Sequence, residues 1–140
     1  MTEKQYLSRS ESELPMIAKN ILEVCNPKRI FAFYGSLGAG KTTLIRSFCE
    51  ALGVQEPVTS PTFTLVHTYE AAQDMVYHFD FYRLQSEIEA YDIGLEEYLD
   101  SGEYVFMEWP ERIPGLIPSQ TAKLRLIVLE NNWREITLSY

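Results

Sequence analysis

Residues 35–42 constrain this chain more than any other segment, because they form a complete glycine-rich phosphate-binding loop. They read Gly-Ser-Leu-Gly-Ala-Gly-Lys-Thr and match G-x-x-x-x-G-K-[ST] at every fixed position. The apolar run 30–34 before the loop predicts a buried strand, and residues 42–52 after it predict a helix that stops at Gly53. A strand, a glycine loop and a helix in this order predict a site for the phosphates of a nucleotide.

Each residue type in the loop suits contact with phosphate. Glycines leave room for backbone N–H groups to converge on one anion, and the N-terminus of the following helix adds partial positive charge. Lys41 is suited to the β- and γ-phosphates, and the Thr42 hydroxyl to a magnesium ion that keeps most of its waters. We therefore predict a nucleoside triphosphate site formed by Gly35, Gly38, Ala39, Gly40, Lys41, Thr42 and Thr43.

Composition and charge narrow the class of protein. A length of 140 residues favours one domain over 1–140, and 46% hydrophobic residues can fill a core. Because 20 acidic residues outnumber 12 Lys and Arg, we expect any role near RNA to depend on a partner protein.

We find no apolar stretch near the ~20 residues of a membrane span and no signal-peptide pattern at residues 1–6. We expect a cytoplasmic protein with two free, buried thiols, Cys25 and Cys49.

The rest of the chain predicts a mixed α/β sheet with helices packed against it and with β-hairpins. A helix is expected over 14–25, with Ser10 or Ser12 as its N-cap. In the extended segment 75–82, strand alternation places His78, Asp80 and Tyr82 on one face. The other predicted elements are an extended segment over 62–69, short helices opening at 86–89 and over 95–100, a strand over 104–107, and a final hairpin over 122–129 and 133–139.

Two carboxylates are candidates for the acidic half of a phosphate-loop site, which is usually a carboxylate at the end of an apolar strand. Glu108 closes the apolar run 104–107, and Asp80 closes the run 76–79. We assign Glu108 to the metal, directly or through water, and Asp80 to the attacking water or to the metal shell. Which of the two ligates the metal directly stays open, and an ordinary solvated carboxylate is the alternative for each.

Three neighbouring features each allow two interpretations. His78 is either a donor to Asp80 or an ordinary hydrogen-bonded histidine on a half-buried strand. Trp109 either packs near the nucleotide or fills the core. The segment 59–62, Thr-Ser-Pro-Thr, is either a switch that senses the γ-phosphate or a simple proline turn.

Five blocks of this sequence resemble the TsaE family of small bacterial ATPases, and they occur in the family's order and spacing. The phosphate loop is generic, whereas S-P-T-[FY], H-x-D-x-Y-R and E-W-P together are specific. One departure is Ser36, where the family usually carries an acid, so an acid there is not essential in this chain. The matching blocks are residues 35–43, 60–65, 78–84, 94–99 and 108–112.

The resemblance implies an α/β protein with a phosphate-loop NTPase fold, in which helices flank a mixed, mostly parallel sheet with β-hairpins. It also implies an ATPase that uses magnesium and supports synthesis of N6-threonylcarbamoyladenosine in tRNA. It implies TsaD-like and TsaB-like partner proteins, with tRNA contacted indirectly through that complex and ATP hydrolysis resetting it. Carried over by motif, Lys41 and Thr42 bind phosphate and magnesium, Glu108 serves the metal, and Asp80 and Trp109 serve hydrolysis and coupling. Outside the distinctive blocks, Glu11 and Arg134 are expected to line the base side of the nucleotide.

Two other functions share the phosphate loop. A small-molecule kinase would also need an acceptor pocket and usually an arginine-rich lid, and no arginine cluster predicts such a lid. A nucleotide-gated binding module would bind ATP without significant catalysis. A guanine-specific switch is disfavoured because the chain has no Asn-Lys-x-Asp motif.

Overall fold

A seven-stranded mixed sheet forms the centre of the computed structural model, which describes all residues 1–140. Its strands are β1 (Glu3–Ser8), β2 (Ile30–Tyr34), β3 (Val66–Glu70), β4 (Met75–Asp80), β5 (Tyr104–Glu108), β6 (Ala122–Val128) and β7 (Arg134–Ser139). The order across the sheet is β1-β7-β6-β2-β5-β4-β3. The neighbours β6, β2, β5 and β4 pair in parallel, whereas β3, β7 and β1 join through antiparallel pairs. Five strands therefore run in one direction, and only β3 and β7 oppose them.

Four α-helices connect or flank the strands: α1 (Leu14–Cys25), α2 (Lys41–Leu52), α3 (Glu87–Asp92) and α4 (Leu95–Leu99). Short 3₁₀ segments cover Glu11–Glu13, Pro110–Arg112 and Pro114–Leu116. Helix α2 ends at Gly53, whose φ of 91° is the left-handed conformation that closes helices without strain in glycine. None of these helices has the length and apolarity needed to cross a membrane.

Each face of the sheet carries its own apolar core. The larger core holds 21 buried residues and packs α1 and α2 against the sheet through edge-to-face rings of Phe31, Phe33, Phe48 and Phe106. The smaller core holds nine residues and packs α3, α4 and the segments after β5 against the opposite face. The strand alternation of 75–82 follows this division, because Val76 joins the first core while Phe79 and Phe81 join the second.

The central elements match the sequence prediction, while three details differ. Residues 62–65 form a turn rather than strand, since the N–H groups of Thr64 and Leu65 both donate to the Pro61 carbonyl. Ser10 and Ser12 bond to each other through their hydroxyls, so neither caps α1, which starts after a 3₁₀ turn. Strand β1 was not predicted, because it gains its partner only from β7.

The parallel core places three chain segments at one edge of the sheet. Strands β2, β4 and β5 run in the same direction, and their last residues are Tyr34, Asp80 and Glu108. Asp80 and Glu108 are direct neighbours in the β4–β5 register. In open α/β sheets, ligands bind at this carboxyl edge.

Candidate functional site

A cleft of about 650 Å³ opens at the carboxyl edge of the sheet, around the glycine loop. This volume falls within the range of small-molecule sites, roughly 300–1,000 Å³. One part of its wall carries Asp80, Glu108 and Trp109, and another carries Glu11 and Arg134. The loop between β2 and α2 lies between these two parts, so a bound molecule can contact both.

Local backbone geometry shapes the loop. Gly38 and Gly40 have φ angles of 81° and 101°, which side chains rarely permit. Gly35 instead needs its small size, because an added Cβ would lie 3.0 Å from the Leu126 carbonyl oxygen and 3.1 Å from Ala39 Cβ. The small size of Gly35 therefore lets the loop pack closely against β6. Gly35 does not itself line the cleft.

Lys41 lies inside the loop with only 5% of its surface exposed. Its ammonium donates to the carbonyls of Gly35 and Ser36 and lies 3.7 Å from the centre of the Trp109 ring. Burial lowers the pKa of Lys41 below 10.5, and the nearby carboxylates Glu108, Glu111 and Asp80 offset only part of this effect. A polyanion entering the cleft would add further negative charge near this buried ammonium and favour its charged form.

Trp109 takes its position from an unusual backbone conformation. It follows the last residue of β5 with a φ of 57°, in the left-handed region that bulky residues seldom adopt. Its ring lies over Lys41 and 4.9 Å from the ring of Tyr82. Trp109 is thus part of the cleft wall, in contact with the loop lysine.

A buried chain of hydrogen bonds joins the loop to strands β5 and β4. The Thr42 hydroxyl lies 2.9 Å from both carboxylate oxygens of Glu108. His78 Nε2 lies 2.7 Å from Glu108 Oε2, and His78 is fully buried. The hypothesis that His78 donates to Asp80 is therefore wrong, because its ring reaches the diagonal neighbour Glu108 on the adjacent strand.

Asp80 has a separate set of donors. Its Oδ2 accepts hydrogen bonds of 2.9 Å from the hydroxyls of Ser60 and Thr62, and its Oδ1 accepts one of 2.9 Å from the Tyr82 N–H. The side chain is almost fully buried. The segment 59–62 is therefore attached to the cleft through Asp80.

The oxygen atoms of Thr42, Glu108 and Asp80 fit the ligand preference of a magnesium ion. Mg²⁺ prefers hard oxygen ligands, usually one or two carboxylates together with substrate phosphates and water. Thr42 and Glu108 supply a hydroxyl and a carboxylate 2.9 Å apart beside the loop, and Asp80 lies next to Glu108 in the sheet. These residues would hold the ion, and phosphate and water would supply its other ligands.

Except for Gly35, the predicted site residues of the glycine loop and of the two carboxylate-bearing strands line one cleft. Thr42 and Thr43 line it together with the loop glycines 38 and 40 and Ala39, and Glu11 and Arg134 line it on the far side. Arg134 Nε lies 3.3 Å from the Ala39 carbonyl oxygen, so this arginine contacts the loop across 95 residues of sequence. Binding of a nucleotide by these residues remains a prediction.

Sequence reasoning missed several lining residues on the side of Arg134. They come from β1, α1, β6, β7 and the turn between β6 and β7, and they belong to no motif that could have identified them. They are Ser8, Leu14, Leu126, Asn132 and Ile136.

A glycine loop between a parallel strand and a helix, with carboxylates closing two neighbouring strands, defines a phosphate-loop α/β protein. The family model for TsaE, the threonylcarbamoyl adenosine biosynthesis protein, matches residues 8–136. The chain therefore belongs to the TsaE family.

Individual relatives agree with this assignment. The chain is 37% identical over 138 residues to the tRNA threonylcarbamoyladenosine biosynthesis protein TsaE of Rickettsia bellii, covering 96% of this chain and 93% of the relative. It is 32% identical over 139 residues to TsaE of Bacillus subtilis, covering 99% of this chain and 87% of that relative. The crystal structure of Bacillus subtilis YdiB superposes with a TM-score of 0.80 at 28% identity, covering 98% of this chain and 84% of that one.

Proposed function

We propose that this chain binds ATP with magnesium in the cleft and hydrolyses it in the cytoplasm, as a subunit needed for N6-threonylcarbamoyladenosine modification of tRNA. Its partners in this proposal are a TsaD-like transferase and a TsaB-like subunit. The observation that carries the proposal is the hydrogen-bonded pair of Thr42 and Glu108 beside the buried ammonium of Lys41. The names of the relatives support the tRNA modification.

Phosphate binding depends on the loop and its lysine. Backbone N–H groups at the start of α2 and the Lys41 ammonium would hold the β- and γ-phosphates. A pair of unit charges about 4 Å apart gains roughly 4 kcal/mol at an effective dielectric constant near 20. Lys41 now donates to the Gly35 and Ser36 carbonyls, and its ammonium has three N–H donors, so it can donate to phosphate oxygens in addition to these carbonyls or in their place.

Thr42 and Glu108 are the residues that would hold magnesium, directly or through water. When bound, the ion neutralises charge that builds up on the phosphate oxygens. Glu108 is almost fully buried, so its carboxylate keeps its orientation without competition from bulk water.

Asp80 would act on the attacking water. Three donors hold its carboxylate in place, and two of them are the hydroxyls of Ser60 and Thr62. A carboxylate fixed in this way can orient a water molecule and accept its proton. Trp109 would cover the phosphates together with Tyr82 and limit access of further water to the reacting atoms.

The charge of the chain favours partners over direct tRNA binding. A net charge of −8 repels the phosphate backbone of RNA unless a basic surface opposes it. In the proposed complex, the partner proteins hold the tRNA, and this subunit contributes nucleotide turnover.

The test is to measure ATP binding by calorimetry and phosphate release with and without purified TsaD-like and TsaB-like proteins. We expect magnesium-dependent ATP binding by the chain alone and faster phosphate release in the complex. Phosphorylated product from an added small-molecule acceptor would instead identify a kinase. ATP-dependent assembly without phosphate release would identify a nucleotide-gated module, and absence of ATP binding would refute all three functions.

A further inference from the structure

His78 is a buried polar residue that the proposed reaction does not use. Its side chain is fully inaccessible in β4, and its only hydrogen-bond partner is Glu108 Oε2 at 2.7 Å. Its second ring nitrogen, Nδ1, is buried without any partner. A fully buried imidazole with one partner, and that partner a residue of the site, points to a task connected with Glu108.

The hydrogen-bond partners assign the imidazole tautomer. A carboxylate only accepts hydrogen bonds, so the proton between His78 and Glu108 lies on Nε2. Nδ1 then carries a lone pair, whereas an N–H group there would be buried without an acceptor. The ring is therefore oriented to donate toward the site through one defined atom.

The two oxygens of Glu108 differ in what holds them. Oε2 accepts from both His78 and Thr42, while Oε1 has only the Thr42 hydroxyl. Thr42 and Glu108 line the cleft, but His78 does not. His78 thus holds the carboxylate from the protein interior, independently of anything bound in the cleft.

We propose that His78 is a positioning residue, whose Nε2–H fixes Oε2 of Glu108 so that Oε1 stays directed toward Thr42 and the magnesium shell. This inference rests on the proposed function, since it requires magnesium at Thr42 and Glu108. Partners that orient metal-binding groups in this way affect metal affinity by roughly 10–100-fold.

The sheet geometry explains why a histidine reaches this carboxylate. His78 faces Phe106 in the β4–β5 register, and Glu108 lies two residues further on the same face of β5. Diagonal neighbours of this kind are close enough for a long side chain. The ring therefore spans the gap and donates from Nε2, the nitrogen furthest from the backbone.

Two amide variants separate positioning from simple packing. His78→Gln places its amide N–H at the reach of Nε2, whereas the shorter His78→Asn keeps the same chemistry but ends near the position of Nδ1. We expect the dissociation constant of Mn²⁺, measured by electron paramagnetic resonance with a non-hydrolysable ATP analogue, to rise 10–100-fold in His78→Asn. In His78→Gln it should stay within about threefold of the parent value, and ATP affinity in EDTA should change less than about twofold in both.

A second measurement tests the hydrogen bond in the parent chain without nucleotide. The chain has two histidines, so ¹⁵N spectra at fixed pH, with His67→Gln for assignment, isolate the ring of His78. We expect a protonated Nε2 and an unprotonated Nδ1, and a changed Nε2 signal in Glu108→Ala.

The possible results distinguish a failure of the inference about His78 from a failure of the proposed function. Parent-like Mn²⁺ affinity in His78→Asn, with or without a lower melting temperature, would mean that His78 is only a packing residue. A proton on Nδ1 instead of Nε2 would refute the hydrogen bond itself. A parent chain that binds no nucleotide would overturn the proposed function and this inference together.

Discussion

The two sides of the cleft are built in different ways. The proposed metal side, below called the metal side, is formed by Thr42, Asp80 and Glu108. Its two carboxylates are buried, and its side chains have partners within 2.9 Å. The proposed base side, below called the base side, is formed by Glu11, Leu126 and Arg134. It has few hydrogen bonds, and the one that joins it to the loop is the 3.3 Å bond from Arg134 to Ala39.

This difference follows from where each side lies in the sheet. On the metal side, Asp80 and Glu108 end parallel strands whose faces are covered by the two cores, and Thr42 lies in the first turn of α2, so their hydrogen bonds are made before any ligand arrives. The base side comes from the antiparallel strands β6 and β7 and from the segment before α1. We expect the metal side to control turnover and the base side to make a smaller contribution through shape and apolar contact.

The largest effect is expected at Asp80. Asp80→Ala should reduce phosphate release by the assembled complex at least about 100-fold, because no other carboxylate with these donors can take the water's proton. ATP affinity measured by calorimetry should stay within about threefold, since Asp80 does not contact the loop amides. Unchanged turnover in the Asp80→Ala complex would remove Asp80 from the reaction.

Lys41→Ala should cost about 100-fold or more in ATP affinity, because it removes the one ammonium inside the loop. Calorimetry with ATP and magnesium measures this loss. Lys28→Ala is a control, since Lys28 lies before β2 and outside the cleft. Equal affinity in both variants would show that the phosphates do not bind at the loop.

The pH dependence of ATP affinity offers a test with the native sequence. Burial lowers the pKa of Lys41 below 10.5, and bound phosphates would raise it again because they favour the charged ammonium. ATP affinity should therefore be constant at neutral pH and fall about tenfold per pH unit above the lowered pKa, starting below pH 10.5.

The check is calorimetry in buffers of different ionisation enthalpy. Proton uptake on binding in the alkaline range is the expected sign. A constant affinity through pH 10.5, with no proton uptake, would contradict a role for this ammonium.

The smallest effect is expected on the base side. Arg134→Ala should weaken ATP binding about 3–10-fold, or roughly 1 kcal/mol, because the arginine supports the loop only through the Ala39 carbonyl and the cleft wall. Turnover at saturating ATP should be unchanged. Arg125→Ala is the matched control, since Arg125 stacks on Tyr34 outside the cleft.

Loss of turnover in Arg134→Ala at saturating ATP would contradict the division between the two sides. So would an affinity loss equal to that of Lys41→Ala. Either result would place Arg134 with the groups that act on phosphate.

Much of the fold could be predicted from the sequence because it depends on local patterns. Helix α2 begins at the loop and stops at Gly53, as its glycine and apolar spacing indicate. Strand β1 could not be predicted in the same way. Its residues alternate weakly between buried and exposed, and its hydrogen bonds come from β7, more than 120 residues later.

The candidate site shows the same limit at the level of side chains. Alternation placed His78 and Asp80 on one face of β4, which is confirmed, but it could not tell which neighbour each would meet. In the structure, His78 forms its hydrogen bond with Glu108, and Asp80 accepts hydrogen bonds from the hydroxyls of Ser60 and Thr62. The alternation of residues along a strand determines which face of the sheet a side chain points to. Its hydrogen-bond partner depends on which strand lies alongside and in what register.

The sequence by itself determined the glycine loop, the lysine and threonine that follow it, and the carboxylates that close two strands, since each depends on residues within one short segment. Only the tertiary structure decided that Thr42 would meet Glu108 across 66 residues and that His78 would reach the same carboxylate across 30. Such contacts depend on strand order and register, which are set by burial of two apolar cores, and no local pattern encodes them.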